Sequence, residues 1–354
     1  MSTRRCPRCG TTYEAPARFC QNDGSPLIDV QTQAGVNQPA SRTEVRKPPV
    51  TPAKVAVDRA SSLTGQILDG RYQVVKKLGE GGMSYVYLAR ETATNDTVAI
   101  KVLSPKLSNE RSSVERLRRE AGLAMRLEHP NVCKILRLGE TEDSLIYLVM
   151  PYLQGELMSD REIRGGPFTL EQGMPLLIQM CRGLHHAHEL HIIHRDLKPE
   201  NVMLIEDPDV QGGMRAVVMD FGLAKERRAE PEVAKLTATG IVLGTPEFMS
   251  PEQIRGKTLD GRSDIYALGI LAFEMFTGTL PFQGRSAQEM MIARLRGNAT
   301  PLRQSKPELP AKLEQVIARA LETDPEKRWA SMHAFAEALS TVTGATLFGK
   351  LFKR

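Results

Sequence analysis

The sequence predicts an α+β protein in which a strand-rich lobe is followed by a helix-rich lobe, with a cleft between them. Three observations carry this expectation. After Arg71 come short β-branched and apolar stretches separated by turn residues. The C-terminal half holds long segments of helical periodicity. A break in composition, over residues about 30–65, divides both from a Cys-rich and turn-rich start.

The first part is a small module over residues 4–29. CPRCG at 6–10 has the C-x-x-C-G form of a zinc knuckle, with two thiolates at a turn and Gly10 freeing the backbone. FCQNDG at 19–24 repeats the shape, with Asp23 at the expected fourth Cys position. A zinc-ribbon-like module would therefore bind structural Zn²⁺ through Cys6, Cys9, Cys20 and Asp23, since three sulfurs and one carboxylate oxygen can close a tetrahedron. So small a module lacks a proper apolar core and would lean on the metal. A metal-free ribbon and a redox-active thiol cluster remain open as alternatives. The module is expected to dock a partner.

Residues 30–70 follow as a tether, poor in large apolar groups and carrying several Pro, Ser and Thr. Such a stretch buries too little surface to offset its ordering entropy. The globular region spans 71–342. YQVVKKLG, SYVYLARE and TVAIKVLS read as antiparallel strands. Residues about 109–127 place Val114, Leu117, Ala121 and Ala124 at helical spacing. CKILRLGE and SLIYLVMPY are further strands, and helices are predicted near 170–190, 263–277, 285–297 and 310–321. Residues 343–354 form a short basic tail, read as a disordered terminus.

Bulk properties exclude several classes. The net charge of +5 is mild for 354 residues, and Lys and Arg are interleaved with Asp and Glu, so no nucleic-acid footprint is present. No run of about 18 apolar residues suggests a membrane span. The start has no apolar core of a secretory signal, so the chain reads as cytoplasmic. Cys133 and Cys181, far apart in apolar contexts, read as reduced core residues.

Chemistry concentrates in four motifs. GEGGMSYV at 79–86 falls at a strand–turn–strand, where Gly79, Gly81 and Gly82 let backbone N–H groups approach phosphates. VAIK ends in Lys101, a strand-interior cation that needs a partner, and Glu120 nineteen residues later can supply one. HRDLKPEN at 194–201 and DFG at 220–222 bring carboxylates. Asp220 and Asn201 offer the hard oxygens that Mg²⁺ prefers. Asp196 can accept a proton from an attacking hydroxyl, and Lys198 can neutralise charge on a transferred group.

On these motifs, in this order, residues about 72–342 resemble a bacterial eukaryotic-like serine/threonine protein kinase. The resemblance covers roughly three quarters of the chain. It implies a bilobal protein kinase fold, with a β-rich N-lobe and a helical C-lobe. It also implies ATP with Mg²⁺ (or Mn²⁺), and proteins bearing Ser or Thr as substrates. By resemblance, Leu78 to Val86 cover ATP, and Val86 and Ala99 lie against the adenine. Lys101 holds the α/β-phosphates and pairs with Glu120. Asp196 is the base, Asn201 and Asp220 hold the metal, and Lys198 contacts the γ-phosphate. Glu252 is expected to pair with Arg328, and Asp264 to brace the catalytic loop. LKPEN resembles the spelling of Ser/Thr rather than tyrosine kinases.

The sequence departs from the pattern at two points. Ser84 stands at the third glycine position. Met150 would be the gatekeeper, followed by Pro151. Proline keeps its carbonyl, and the family's N–H donor would be Leu153, so adenine recognition should survive. Glu156 is left open as a ribose contact. The activation segment implied by the resemblance runs from Asp220 to Glu252. Phosphate on Thr237 or Thr239 would offer Arg195 a strong acceptor, whereas Thr245 is expected to be structural. Two competing readings are a nucleotide-binding pseudokinase, which would lack Lys101, Asp196 or Asp220, and a nucleic-acid adaptor built on the N-terminal module, which would need a basic patch within residues 1–30.

Overall fold

The computed structural model describes residues 3–5, 11–14, 28–29, 59–81, 84–103, 111–221 and 246–342. The chain divides into two compact units, Met1–Pro49 and Val50–Arg354.

In the first unit, β1 (Thr3–Arg5), β2 (Thr12–Glu14) and β3 (Ile28–Asp29) form one sheet in the order β2-β1-β3. Both pairings are antiparallel, with Arg5 opposite Thr12 and Ile28. β1 and β2 thus flank the residues that carry Cys6 and Cys9. Those two cysteines, with Cys20, Asp23 and the tail 343–354, lie outside the described residues.

The second unit opens with a six-stranded antiparallel sheet in the order β4-β5-β6-β7-β9-β8. Its strands are β4 (Ile67–Leu68), β5 (Tyr72–Gly81), β6 (Ser84–Glu91), β7 (Thr97–Leu103), β8 (Arg137–Glu140) and β9 (Ile146–Pro151). Helix α1 (Arg111–Ala124) enters between β7 and β8, two residues inside the expected start, and buries Ala121 and Ala124. The strand expected from Cys133 begins only at Arg137. Before it, Val132 bridges Val218, and Cys133 donates its N–H to Val218 O at 2.8 Å, so this stretch is fastened to the other lobe.

The lobe also takes in residues 59–68, assigned by composition to the tether. Ala60 and Leu63 are at most 1% exposed and join the apolar cluster of Tyr87, Ile100 and Tyr147. Ala60, Leu63 and Leu68, three apolar side chains in a polar stretch, do not announce themselves; the sheet that covers them is built later in the chain.

The helical lobe begins with β10 (Glu156–Leu157) and α2 (Met158–Gly165), then α3 (Leu170–Glu189). Thr169 starts α3 with a reciprocal capping box to Gln172. β11 (Val202–Glu206) and β12 (Met214–Val218) pair antiparallel and extend β10 into a second sheet. These short strands and α2 escape detection by periodicity because each is only a turn or two long or lies between turns.

After α4 (Pro251–Ile254) comes α5 (Gly261–Thr277), capped by Asp260 and ended by Gly278 at φ +72°. Thirteen of its residues are buried, so it is apolar on all sides and forms the centre of this lobe. α6 (Ala287–Arg296), α7 (Leu302–Ser305), α8 (Ala311–Ala320) and α9 (Met332–Ser340) surround it.

One ion pair staples the lobe. Arg328, 1% exposed, makes two bonds to Glu252 at 2.7 and 2.8 Å, and Ser263 Oγ donates to the same carboxylate at 2.7 Å. Burial opposes ionisation of Glu252; Arg328 outweighs it, so the carboxyl lies below its ordinary range. Removing one partner of such a buried pair costs about 3–5 kcal/mol, because the other charge is left uncompensated.

Candidate active site

Asp196 follows a backbone held in an unusual conformation. Arg195 has φ +65°, a left-handed conformation that costs a non-glycine residue roughly 1–3 kcal/mol unless its surroundings enforce it. They do. Arg195 N–H donates to Asp264 Oδ1 at 2.9 Å, and Arg195 O accepts from Gln253 Nε2 at 2.8 Å. His194 N–H donates to Asp264 Oδ2 at 2.8 Å. His188 Nε2 donates to the same oxygen at 2.7 Å. Burial disfavours the Asp264 charge, but His188, His194 and these N–H bonds reverse the balance and lower its pKa. The expected bracing role of Asp264 is thus met by geometry. His188 and Gln253 were missed, and their only sequence signal is proximity to the motifs.

His194 joins the loop to the Asn201 and Asp220 end of the site. Its Nε2 bonds to Met219 O at 2.7 Å, and its Nδ1 accepts from Asp196 N–H at 3.3 Å. A carbonyl can only accept, so the neutral tautomer with its proton on Nε2 satisfies both bonds. Met219 N–H donates to Asn201 O at 2.8 Å, and Asn201 Nδ2 donates to Asp196 O at 2.7 Å. Asp196 and Asn201, from one stretch of chain, are thereby tied to the stretch that carries Asp220. With Nδ2 committed, the amide oxygen of Asn201 is the acceptor left for a cation. Phe221 packs its ring 4.7 Å from that of His194.

Across the cleft, Lys101 stands on β7 opposite Val86 on β6 and Leu148 on β9. Ala99 stands opposite Met150 and Leu88. Lys101 Nζ pairs with Asp220 Oδ2 at 2.7 Å. The sequence expectation had named Glu120 as the partner; Glu120 lies half-buried on α1. Desolvation raises the pKa of Asp220, but Lys101, with Lys198 adding to it, pulls it below the usual carboxylate range. The donor set is an ionised carboxylate and an amide oxygen, which suits a hard divalent cation.

The glycine turn lies at the edge of the cleft. Gly79 stands opposite Val86 and Gly81 opposite Ser84, with a register shift in β5 around Leu78. A Cβ on Gly79 would meet nothing within 4 Å, and one on Gly81 would come only to 3.9 Å of Ser84. The fold itself does not demand these glycines, so what their bare backbone offers is close approach to a ligand. Gly82 lies outside the described residues, as do Gly222, Thr237, Thr239 and Thr245. Leu153 follows β9, partly buried. Glu156 is held by Arg164, whose Nη2 lies at 2.7 and 3.0 Å from its two oxygens.

The family model of the protein kinase domain matches residues 72–339. The chain belongs to the protein kinase family. The kinase PrkC of Bacillus subtilis is 37% identical over 267 residues, covering 75% of this chain and 40% of PrkC. The tyrosine-protein kinase MasK of Myxococcus xanthus is 38% identical over 295 residues, 79% of this chain and 44% of MasK. The chain therefore spans less than half the length of these curated relatives. Among solved structures, the PknI kinase domain of Mycobacterium tuberculosis aligns with TM-score 0.62 and 28% identity, over 79% of this chain and 98% of that one.

In this kinase the Lys101–Asp220 pair sets a pH limit. Replacing Lys101 with Met removes the charge that lowers the Asp220 pKa, so a proton would compete at higher pH with a cation held there. Metal-dependent binding of an ATP analogue is expected to fail on acidification at a higher pH in Lys101→Met than in wild type, read by titrating affinity between about pH 4 and 7.

Proposed function

We propose that the chain is a serine/threonine protein kinase that transfers the γ-phosphoryl group of ATP to Ser and Thr hydroxyls of proteins. The observation that carries this is the bond from His194 to Met219 O, which ties the Asp196 loop to the strand end bearing Asp220. An acceptor hydroxyl attacks the γ-phosphorus, the bond to the bridging oxygen breaks, and ADP leaves. The hydroxyl proton passes to Asp196. Lys198 offsets charge on the transferred group. Lys101 turns from Asp220 to the α/β-phosphates. Asn201 and Asp220 would hold Mg²⁺, which when bound would supply positive charge to offset that of the phosphates. Leu78, Val86, Ala99, Met150 and Leu153 enclose the adenine. Serine and threonine specificity rests on LKPEN, since relatives bear both serine/threonine and tyrosine kinase names.

Regulation follows from Arg195. Its backbone is fixed from both sides, which supports the reading that its guanidinium pairs with phosphate on Thr237 or Thr239. Placement in the cytoplasm is supported by the two described cysteines, Cys133 and Cys181, which are both unpaired. Among the described residues no helix is long and apolar enough to cross a membrane.

Incubation of the full chain with Mg-ATP and phosphopeptide mapping tests this reading. Wild type is expected to gain phosphoserine or phosphothreonine, Thr237 or Thr239 included. Asp196→Asn should lose about 10²–10⁴-fold in rate while still binding nucleotide. Equal incorporation by the variant would sink the role given to Asp196.

The N-terminal unit is proposed to hold structural Zn²⁺ through Cys6, Cys9, Cys20 and Asp23 and to dock a partner. The antiparallel pairing of β1 and β2 around the first knuckle supports the ribbon form. Metal analysis of reduced, unchelated full chain is expected to find one zinc per chain, lost in Cys6→Ser/Cys9→Ser. Zinc-free protein would end the idea.

A further inference from the structure

Residues 59–69 lie ahead of the stretch matched by the kinase family model, which begins at residue 72. They are nonetheless part of the lobe. Ala60, Leu63 and Leu68 are at most 1% exposed and pack into the apolar cluster that includes Tyr87, Val102 and Tyr147. Polar ties fix both ends. Tyr87 Oη donates to Ala60 O at 2.7 Å, and Arg59 pairs with Asp143 in the turn between β8 and β9. At the other end, Tyr147 Oη donates to Asp69 Oδ2 at 2.7 Å, and Arg137 lies 3.5 Å from the same oxygen. Between them Val74 N–H bonds to Gln66 O and Gly65 N–H to Val74 O, each at 2.9 Å. Asp69 adopts φ +54°, a conformation that its bonds to Tyr147 and Arg137 help to hold.

Tyr147 is the receiving residue. It is 0% exposed, and its ring covers Gly139 so closely that a Cβ there would lie 2.1 Å from Tyr147 Cζ. It stands opposite Val102, the neighbour of Lys101, and three residues before Met150 on β9. The same two strands that carry Lys101 and Met150 to the cleft are therefore gripped from behind by residues 59–69.

We propose that residues 59–69 are a strap that sets the geometry of the nucleotide cleft from the back of the sheet. Seated, the strap holds β7 and β9 in the register that presents Lys101 and Met150. Unseated, it loosens those strands and nucleotide affinity falls. Asp69 and Tyr147 are positioning residues in this account; neither touches the nucleotide.

The test uses the full chain with a non-hydrolysable ATP analogue and Mg²⁺, reading the dissociation constant by calorimetry and Tm in parallel. Binding rather than transfer is read, so the result does not depend on the role given to Asp196. Leu63→Ala and Asp69→Asn are expected to weaken binding by about 5- to 10-fold, the lower range of coupling between sites. Tyr147→Phe, which removes only the hydroxyl, should move the same way and keeps the test open if Leu63→Ala fails to fold. Leu313→Ala, in the core of the helical lobe and 0% exposed, is the control for simple destabilisation: Tm falls and affinity stays within about twofold. Wild-type affinity in Asp69→Asn and Tyr147→Phe would overturn the strap, as would an equal loss in the Leu313 control.

Discussion

Asp264 is a carboxylate 1% exposed, taken out of water at the start of the most buried helix of the protein. Such a charge is tolerated only when it accepts several hydrogen bonds. It accepts three, from His188, His194 and Arg195. Two of those donors are backbone N–H groups of the catalytic loop, so the charge is met only by a loop in one conformation. Arg195 is driven into positive φ as a result, and Asp196 inherits its position from that turn. Everything downstream, from the His194–Met219 bond to the meeting of Asn201 with Asp220, presupposes this arrangement.

The opposite wall of the cleft is less committed. Lys101 is held by Asp220, the residue whose oxygen a metal would take. A carboxylate that serves a cation of the protein in one state and a metal in another needs a low pKa in both, and Lys101 provides it in the state seen here. Behind the sheet, Tyr147 on β9 bonds to Asp69 and Tyr87 on β6 bonds to Ala60 O.

Legibility followed the length scale of each interaction. Lys101, Asp196, Asn201 and Asp220 stood out because motif chemistry is local: each lies within a few residues of the others in its motif. The Glu252–Arg328 pair, 76 positions apart, was accessible only through resemblance, since nothing near either residue announces the other. The long helices declared themselves through periodicity, whereas β10, β11 and β12 are too short to carry a pattern. Residues 59–69 were misread as tether because their apolar content is low. Ala60 and Leu63 become core only when Tyr87 and Tyr147 arrive from later strands, and no window along the chain contains both partners.

The most direct measurement of this account is amide hydrogen exchange at His194 and Arg195 in wild type and Asp264→Asn. If the buried carboxylate organises the loop, both amides are strongly protected in wild type. In the variant they should exchange at least about 10-fold faster while amides of α5 keep their protection, with phosphoryl transfer falling in step. Unchanged protection at both amides in an Asp264→Asn protein of full activity would contradict it.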